Sequence, residues 1–299
     1  MQASRNSLPD GRWHLQHGPI DIVLGAEGEP GAVQAAHEAA WARFGGILPE
    51  LVAELALLRQ PVDATRMPRG AVARRMWQAC LPFLPRFITP MAAVAGSVAE
   101  ELVAFYQRPG MTRAWINNGG DVALHLAPGQ VLRIGLFADL ARFDPSQLVG
   151  GGLPIDGAFE VRADDPVRGV ATSGWRGRSF SMGIADSVTV RAATASAADA
   201  AATLIANAVD APHPRILRQP ATSLKDDTDL GDRLVTVDVP LLPTQTVQDA
   251  LASGIRCARE LREAGIIHSA VLVCQGWVAT DDTAPAPLLE RQAPQGLAA

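Results

Sequence analysis

Residues 116–124 read INNGGDVAL, and this stretch decides how the middle of the chain folds. Asn118, Gly119 and Gly120 lie between two apolar runs, and Asn and Gly tolerate the positive φ angles of a tight hairpin turn. The stretch therefore predicts two antiparallel strands joined by a short turn. A second interpretation stays open, because two successive glycines would also let a ligand lie directly against the backbone.

The patterns on either side of this hairpin predict an α+β fold. Strand patterns come in pairs with helices grouped between them, which favours antiparallel sheets over a regular alternation of strand and helix. In the helix-rich region 32–60, Gly45, Gly46 and Pro49 predict a break into two helices. We predict a single domain over residues 1–280 and a disordered, Pro- and Ala-rich tail over 281–299.

Composition excludes several classes of protein. The chain has 299 residues, of which 48% are hydrophobic and 19% charged, and its net charge is −5. This supports a large packed core and excludes the basic footprint of a nucleic-acid-binding domain. The three cysteines are widely and irregularly spaced, which argues against a disulfide framework. No apolar run approaches the ~20 residues that cross a bilayer, and the N-terminus lacks an apolar signal region. We expect a cytoplasmic protein without nucleic-acid or membrane partners, and small residues on several helices are compatible with a homodimer.

Two further stretches offer groups that could bind a ligand. One is a predicted helix with Thr89 as its N-cap and Pro90 in its first turn, where the small Gly96 and Ser97 leave room for an anion or for a neighbouring helix. The other, residues 170–188, carries hydroxyls and arginines that suit a phosphate or carboxylate, although a polar hairpin with solvated arginines has the same composition. Its candidate ligand-binding residues are Thr172, Ser173, Gly174, Arg178, Ser179 and Ser181.

Asp199 and Thr203 form a fourth candidate, after the hairpin and these two stretches. On a predicted helix they lie at i and i+4, so a carboxylate and a hydroxyl face the same way, which is hard-oxygen ligation of the kind that Mg²⁺ accepts. The competing interpretation is structural, since Ser196 and Asp199 also have the spacing of a capping box at the start of that helix. Spacing alone favours the cap.

With these motifs in place, the sequence resembles the ApbE-like superfamily, and within it the bacterial and archaeal UPF branch. The likeness covers most of the chain and rests on the order of the segments HGPIDIVL, FITPMAAVAGSVAE, INNGGDVAL, ATSGWRGRSFSMGIADSVTV and AADAAATLIANAVD. Better-known members are FAD:protein FMN transferases, which use Mg²⁺ to attach FMN to a threonine of a target protein. The resemblance implies an α+β fold with a duplicated T-fold-type core, antiparallel or mixed sheets with packed helices, and a cleft between two lobes.

The resemblance also implies roles for individual residues. The metal-binding Asp-x-x-x-Thr of the transferases matches Asp199 and Thr203, which raises the metal interpretation above the cap. The Asn-x-Gly-Gly-Asp loop of the transferases matches a loop that ends here at Asp121. In that loop the predicted ligand-binding residues are Asn117, Asn118, Gly119 and Gly120.

The chain departs from the transferases in two segments. Their lysine near the glycine-rich helix has no counterpart in residues 92–101, and their His-x-x-Asp-Pro segment is shortened here so that Asp186 is the nearest carboxylate.

We predict a metal-assisted enzyme acting on a small anionic, nucleotide-like or flavin-like molecule. Mg²⁺ would bind at Asp199 and Thr203, and Asp121 or Asp186 would be a general base or a hydrogen-bond acceptor. One alternative is a flavin- or pterin-binding accessory protein without catalysis, and a second is an FAD-dependent FMN transferase, with FAD or FMN as cofactor.

Overall fold

The structure, a computed structural model, describes residues 2–136, 157–281 and 286–287. Its strands in chain order are β1 (Ser4–Ser7), β2 (Trp13–His17), β3 (Ile20–Gly28), β4 (Met111–Asn118), β5 (Asp121–Leu126), β6 (Val131–Leu136), β7 (Gly157–Arg162), β8 (Gly169–Ser173), β9 (Ser187–Ala192), β10 (Leu217–Pro220), β11 (Leu234–Asp238), β12 (Ser269–Cys274), β13 (Trp277–Thr280) and β14 (Ala286–Pro287). Its α-helices are α1 (Pro30–Ala53), α2 (Leu55–Leu58), α3 (Ala71–Cys80), α4 (Val94–Val103), α5 (Ala195–Ala208), α6 (Ala221–Leu224) and α7 (Thr244–Glu263).

A ten-stranded sheet forms the centre of the molecule, in the order β1-β2-β3-β4-β5-β8-β9-β12-β13-β14. Every neighbouring pair in it is antiparallel. Helix α4 packs on β4 and β5, α5 packs on β8 and β9, and α7 packs on β12. The predicted α+β class with antiparallel sheet and packed helices is confirmed.

The side chains of strand β5 alternate between the two faces of the sheet. Successive side chains of a strand point to opposite faces. Val122, Leu124 and Leu126 join a small cluster with Val161 of the β6–β7 hairpin, whereas Ala123 joins the large core beneath the helices. Asp121 shares the face of Ala123, so its carboxylate is aimed at the helix layer.

The INNGGDVAL stretch forms the hairpin that its sequence predicts. Asn118 pairs with Asp121, and the two glycines between them have φ angles of +68° and +114°. Asn117 Oδ1 accepts the Gly120 N–H at 2.8 Å, and Asn118 Nδ2 donates to the carbonyl of Ala95 at 3.1 Å. The turn is thereby tied to the first turn of α4.

The predicted break in the first helical region is wrong. Helix α1 runs without interruption through Gly45, Gly46 and Pro49. Pro49 cannot donate to the Gly45 carbonyl, and this local defect favours a break. Burial of the large side chains Phe44 and Ile47 on one face holds the helix together despite that cost.

The capping-box interpretation of Asp199 is also wrong. The N-cap of α5 is Thr194, whose hydroxyl accepts the Ala197 N–H at 3.2 Å. The Ser196 hydroxyl instead donates to Glu100 at 2.7 Å, which ties α5 to α4. Asp199 is therefore free of any capping role in its own helix.

Most of the predicted tail, 281–299, lies outside the described residues. At its start, Asp281 is buried and accepts the Ala270 N–H at 2.9 Å and Arg262 Nη1 at 2.6 Å. Strand β14 pairs with β13, so the ordered sheet continues past the predicted boundary at 280. Among the described residues, no helix combines the length and apolar character that a membrane span requires.

Candidate functional site

A cleft of about 290 Å³ collects residues that are far apart in the sequence. It opens where the start of β5 and the end of β8 meet the first turn of α4 and the later turns of α5. Seven of the residues singled out in the sequence line it: Thr89, Asp121, Ser173, Arg178, Ser179, Asp199 and Thr203. The cleft thus joins parts of all four candidate stretches in one place.

Two carboxylates, Asp121 and Asp199, meet in this cleft. Asp121 is buried and accepts the Thr172 N–H at 3.1 Å. Burial raises the pKa of Asp121 to about 7, against the opposing effects of the Thr172 hydrogen bond and the Arg178 charge. Burial also raises the pKa of Asp199 well above its usual value, and the charge of Asp121 raises it further. Such mutual repulsion between carboxylates in a cleft is typical of a functional site.

Helix α4 approaches α5 closely at Gly96, and this contact positions Asp199. The Gly96 N–H donates to Asp199 Oδ2 at 2.9 Å. A Cβ on Gly96 would lie 2.3 Å from the Ala195 carbonyl oxygen and 2.9 Å from Asp199 Cβ, so only glycine allows this approach. The predicted small-residue helix start therefore serves a neighbouring helix, and its N–H is used by a carboxylate of the protein.

Arg178 lies over the glycine turn of the β4–β5 hairpin. A Cβ on Gly119 would fall 1.8 Å from Arg178 Nη2, so the missing side chain makes room for the guanidinium. Arg178 is exposed on the cleft wall, where its charge acts on Asp121. The turn thus contributes to the cleft by positioning a cation, in addition to reversing the chain.

Several predicted site residues do not line the cleft. Ser97 is fully buried, and the Ser181 hydroxyl donates to Asn207 Oδ1 at 3.1 Å. Gly174 packs against the backbone of Asp186, where a Cβ would lie 2.4 Å from the carbonyl oxygen. Asp186 accepts the Trp175 indole N–H and the Gln275 N–H and does not line the cleft, so of the two candidate bases only Asp121 faces it.

The cleft also contains residues that sequence reasoning did not identify. Charged side chains come from segments that showed no motif: Arg59, Lys225, Asp227 and Asp229. An apolar wall is formed by Phe87, Met91, Phe180, Met182 and Leu230. No spacing rule links these residues, since they meet only through the folding of distant segments.

The donor set of the cleft fits a divalent cation. Asp121, Asp199 and Thr203 supply carboxylate and hydroxyl oxygens, which are the hard ligands that Mg²⁺ prefers. The repulsion between the two carboxylates would be relieved by a positive ion. Within the described residues no cluster of three or more His, Cys, Asp or Glu is suited to a metal, so waters or ligand oxygens would complete the shell.

Comparison with known proteins identifies the family of the chain. A family model described as AbpE bacteria matches residues 5–280, and the chain belongs to that family. A UPF0280 protein of Methanosphaerula palustris is 42% identical over 125 residues, which cover 41% of this chain and 47% of that protein. A UPF0280 protein of Methanothrix thermoacetophila is 33% identical over 164 residues, covering 54% and 58%. The chain thus spans about half the length of these curated relatives.

One similar solved structure is the ApbE protein of Thermotoga maritima. It is 13% identical, with a TM-score of 0.40, and the match covers 95% of this chain and 96% of that one.

The Gly119→Ala substitution is expected to weaken anion binding in the cleft by about 10- to 100-fold. The new methyl group would occupy the place of Arg178 Nη2 and push the guanidinium away from the cleft. Loss of one charge-assisted hydrogen bond to an anion corresponds to about 1.5–3 kcal/mol. Calorimetric titration with inorganic phosphate measures the effect.

Gly129→Ala is the matched control for this substitution. Gly129 also has a positive φ, +79°, but open space surrounds its Cβ position. Equal backbone strain without displacement of Arg178 should leave phosphate affinity unchanged. A similar loss of affinity in both variants would mean that Gly119 acts only through turn stability.

The raised pKa of Asp121 predicts a pH dependence of stability. Between its usual pKa of 3.8 and about 7, the Asp121 carboxyl keeps its proton in the folded protein but loses it in the unfolded chain. The stability that this retained proton provides is therefore complete at low pH and is lost as the pH rises to about 7. The Asp121→Asn variant lacks this titration but keeps an oxygen acceptor for Thr172. The difference in unfolding free energy between variant and wild type, both without divalent cations, should grow by at most about 1.4 kcal/mol per pH unit between pH 5 and 7. Parallel curves for the two proteins in chemical denaturation across this range would refute the raised pKa.

Proposed function

We propose that the protein is a divalent-cation-assisted enzyme acting on a small anionic, nucleotide-like or flavin-like molecule bound in the cleft. The observation that supports this most is the convergence of Asp121, Asp199 and Thr203 with the Arg178 guanidinium in one cleft. Carboxylates that repel each other beside an arginine are costly for folding, and such a cost is usual where binding or chemistry requires it.

In this proposal the residues divide into three roles. Asp199 and Thr203 hold Mg²⁺, which would neutralise negative charge that develops on the ligand. Arg178, with the Ser173 hydroxyl, binds an oxyanion of the ligand. Asp121 is the candidate general base, because a pKa of about 7 lets it both accept and release a proton near neutral pH.

A thermal-shift panel of nucleotides, flavins and pterins, each with and without Mg²⁺, tests the proposal. We expect a Tm increase that requires both one class of ligand and the cation, and we expect Asp199→Asn to abolish it. Asp249→Asn is the matched control, because Asp249 is exposed on α7 and hydrogen-bonds only locally, to Gln245 at 2.9 Å. No shift across the panel, or an equal loss in the Asp249 variant, would contradict the proposal.

A second candidate function is flavin or pterin binding without catalysis. It is favoured by the apolar wall, where Phe87 and Phe180 offer aromatic surface and Met91 offers an adaptable apolar side chain for a planar ring. A stable ligand shift without product over time would support this function. Conversion of FAD to FMN and AMP would instead support the FMN-transferase alternative.

A further inference from the structure

Residues 225–230 form a strap along one wall of the cleft, between α6 and β11. The strap is attached to the opposite wall at two points. Asp229 accepts a hydrogen bond from the Thr89 hydroxyl, and Asp227 accepts one from Arg59 Nη2 at 2.7 Å. Both partners belong to segments more than 130 residues earlier in the chain, since these separations are 140 and 168 residues.

Two positively charged side chains of the cleft contact the same carboxylate of the strap. Arg59 follows α2 and Lys225 follows α6, and both line the cleft. Lys225 Nζ lies 3.5 Å from Asp227 Oδ1, while Arg59 binds Oδ2 of the same residue. An arginine and a lysine around two carboxylate oxygens are the arrangement that binds a phosphate or carboxylate group of a ligand.

Asp227 can leave this position at small cost. Its side chain is 56% exposed and that of Arg59 is 29% exposed, and ion pairs as open as this contribute little to stability. The Asp229–Thr89 hydrogen bond would continue to hold the strap while Asp227 moved away. A ligand anion can therefore replace Asp227 without detaching the strap.

We propose that Arg59 and Lys225 form a second oxyanion subsite of the cleft, which Asp227 occupies until an anionic group of the ligand replaces it. This inference rests on the proposed function, because it assumes that the first anionic group of the ligand meets Arg178. The substrate class is then narrowed to molecules with two separated anionic groups, each a phosphate or a carboxylate. A molecule with one anionic group would leave Asp227 in place.

The test is a calorimetric titration with inorganic phosphate and, separately, with acetate, at constant ionic strength and without divalent cations. All proteins carry Arg178→Gln, so that the other cleft arginine does not contribute. Asp227→Asn frees the two cations and should tighten phosphate binding about fivefold. The anion that binds with the higher affinity identifies whether the subsite takes a phosphate or a carboxylate.

Two further variants make the result specific. Asp226→Asn changes the net charge equally at the neighbouring strap residue, which does not line the cleft, and should leave phosphate affinity unchanged. Adding Arg59→Gln to Asp227→Asn should remove the gain. An equal gain with Asp226→Asn, a gain that survives Arg59→Gln, or no gain with Asp227→Asn overturns the subsite. Since the titration uses neither Mg²⁺ nor Asp199, failure of the cation site would leave this result unchanged and can be recognised separately.

Discussion

Asp199→Asn is expected to lower Mg²⁺ affinity by about 100-fold and to raise the Tm of the cation-free protein. Loss of a charged ligand removes the main attraction for the ion, and changes at metal sites commonly have effects of this size. The same change removes the repulsion between Asp199 and Asp121 while keeping an oxygen acceptor for the Gly96 N–H. Loss of one of two carboxylates that repel each other should stabilise the fold by about 1 kcal/mol.

The prediction is specific to a metal ligand because the same substitution raises the Tm and lowers the Mg²⁺ affinity. A residue with only a structural role would lose stability when its charge is removed. Calorimetric Mg²⁺ titration and differential scanning calorimetry without added cation measure the two effects, with Asp249→Asn as the control for a change in net charge. Lower Tm together with unaltered Mg²⁺ affinity would show that Asp199 is a structural acceptor for α4.

Gly96→Ala is expected to destabilise the protein by about 3 kcal/mol and to weaken Mg²⁺ binding as well. The added methyl group would lie 2.3 Å from the Ala195 carbonyl oxygen, which belongs to backbone and cannot rotate away. Overpacking of a close contact typically costs about 1–3 kcal/mol. Separation of α4 from α5 would also break the Gly96–Asp199 hydrogen bond and move the carboxylate.

Gly45→Ala is the control for replacing a helical glycine. Gly45 lies inside α1 with open space at its Cβ position, so alanine should stabilise the protein by about 0.5–1 kcal/mol through helix propensity. Equilibrium unfolding in urea compares the two variants. If Gly96→Ala were as stable as wild type, the close approach of α4 and α5 would not be required.

Local features of the fold could be predicted from the sequence because short-range chemistry determines them. The Gly119-Gly120 turn requires positive φ angles, and the alternation in β5 places Asp121 and Ala123 on one face. The i and i+4 spacing of Asp199 and Thr203 puts both on the cleft side of α5. Each of these features depends on fewer than ten consecutive residues.

Features that depend on tertiary packing could not be predicted. Pro49 suggested the end of a helix, but buried side chains on both sides of it hold α1 together. Asp186 had the residue type of a catalytic base, yet its oxygens accept N–H groups from Trp175 and Gln275. Arg59 and the strap meet across 168 residues, and no local pattern indicates such a contact.

We propose that Asp199 and Thr203, beside Asp121, bind a divalent cation in the cleft. The most direct measurement is anomalous X-ray diffraction from crystals of the full chain grown with Mn²⁺ as a substitute for Mg²⁺. We expect an anomalous peak about 2 Å from oxygens of Asp199 and Thr203, and no peak there in crystals of Asp199→Asn. A wild-type crystal with Mn²⁺ bound elsewhere, or with no peak between these residues at saturating Mn²⁺, would contradict it.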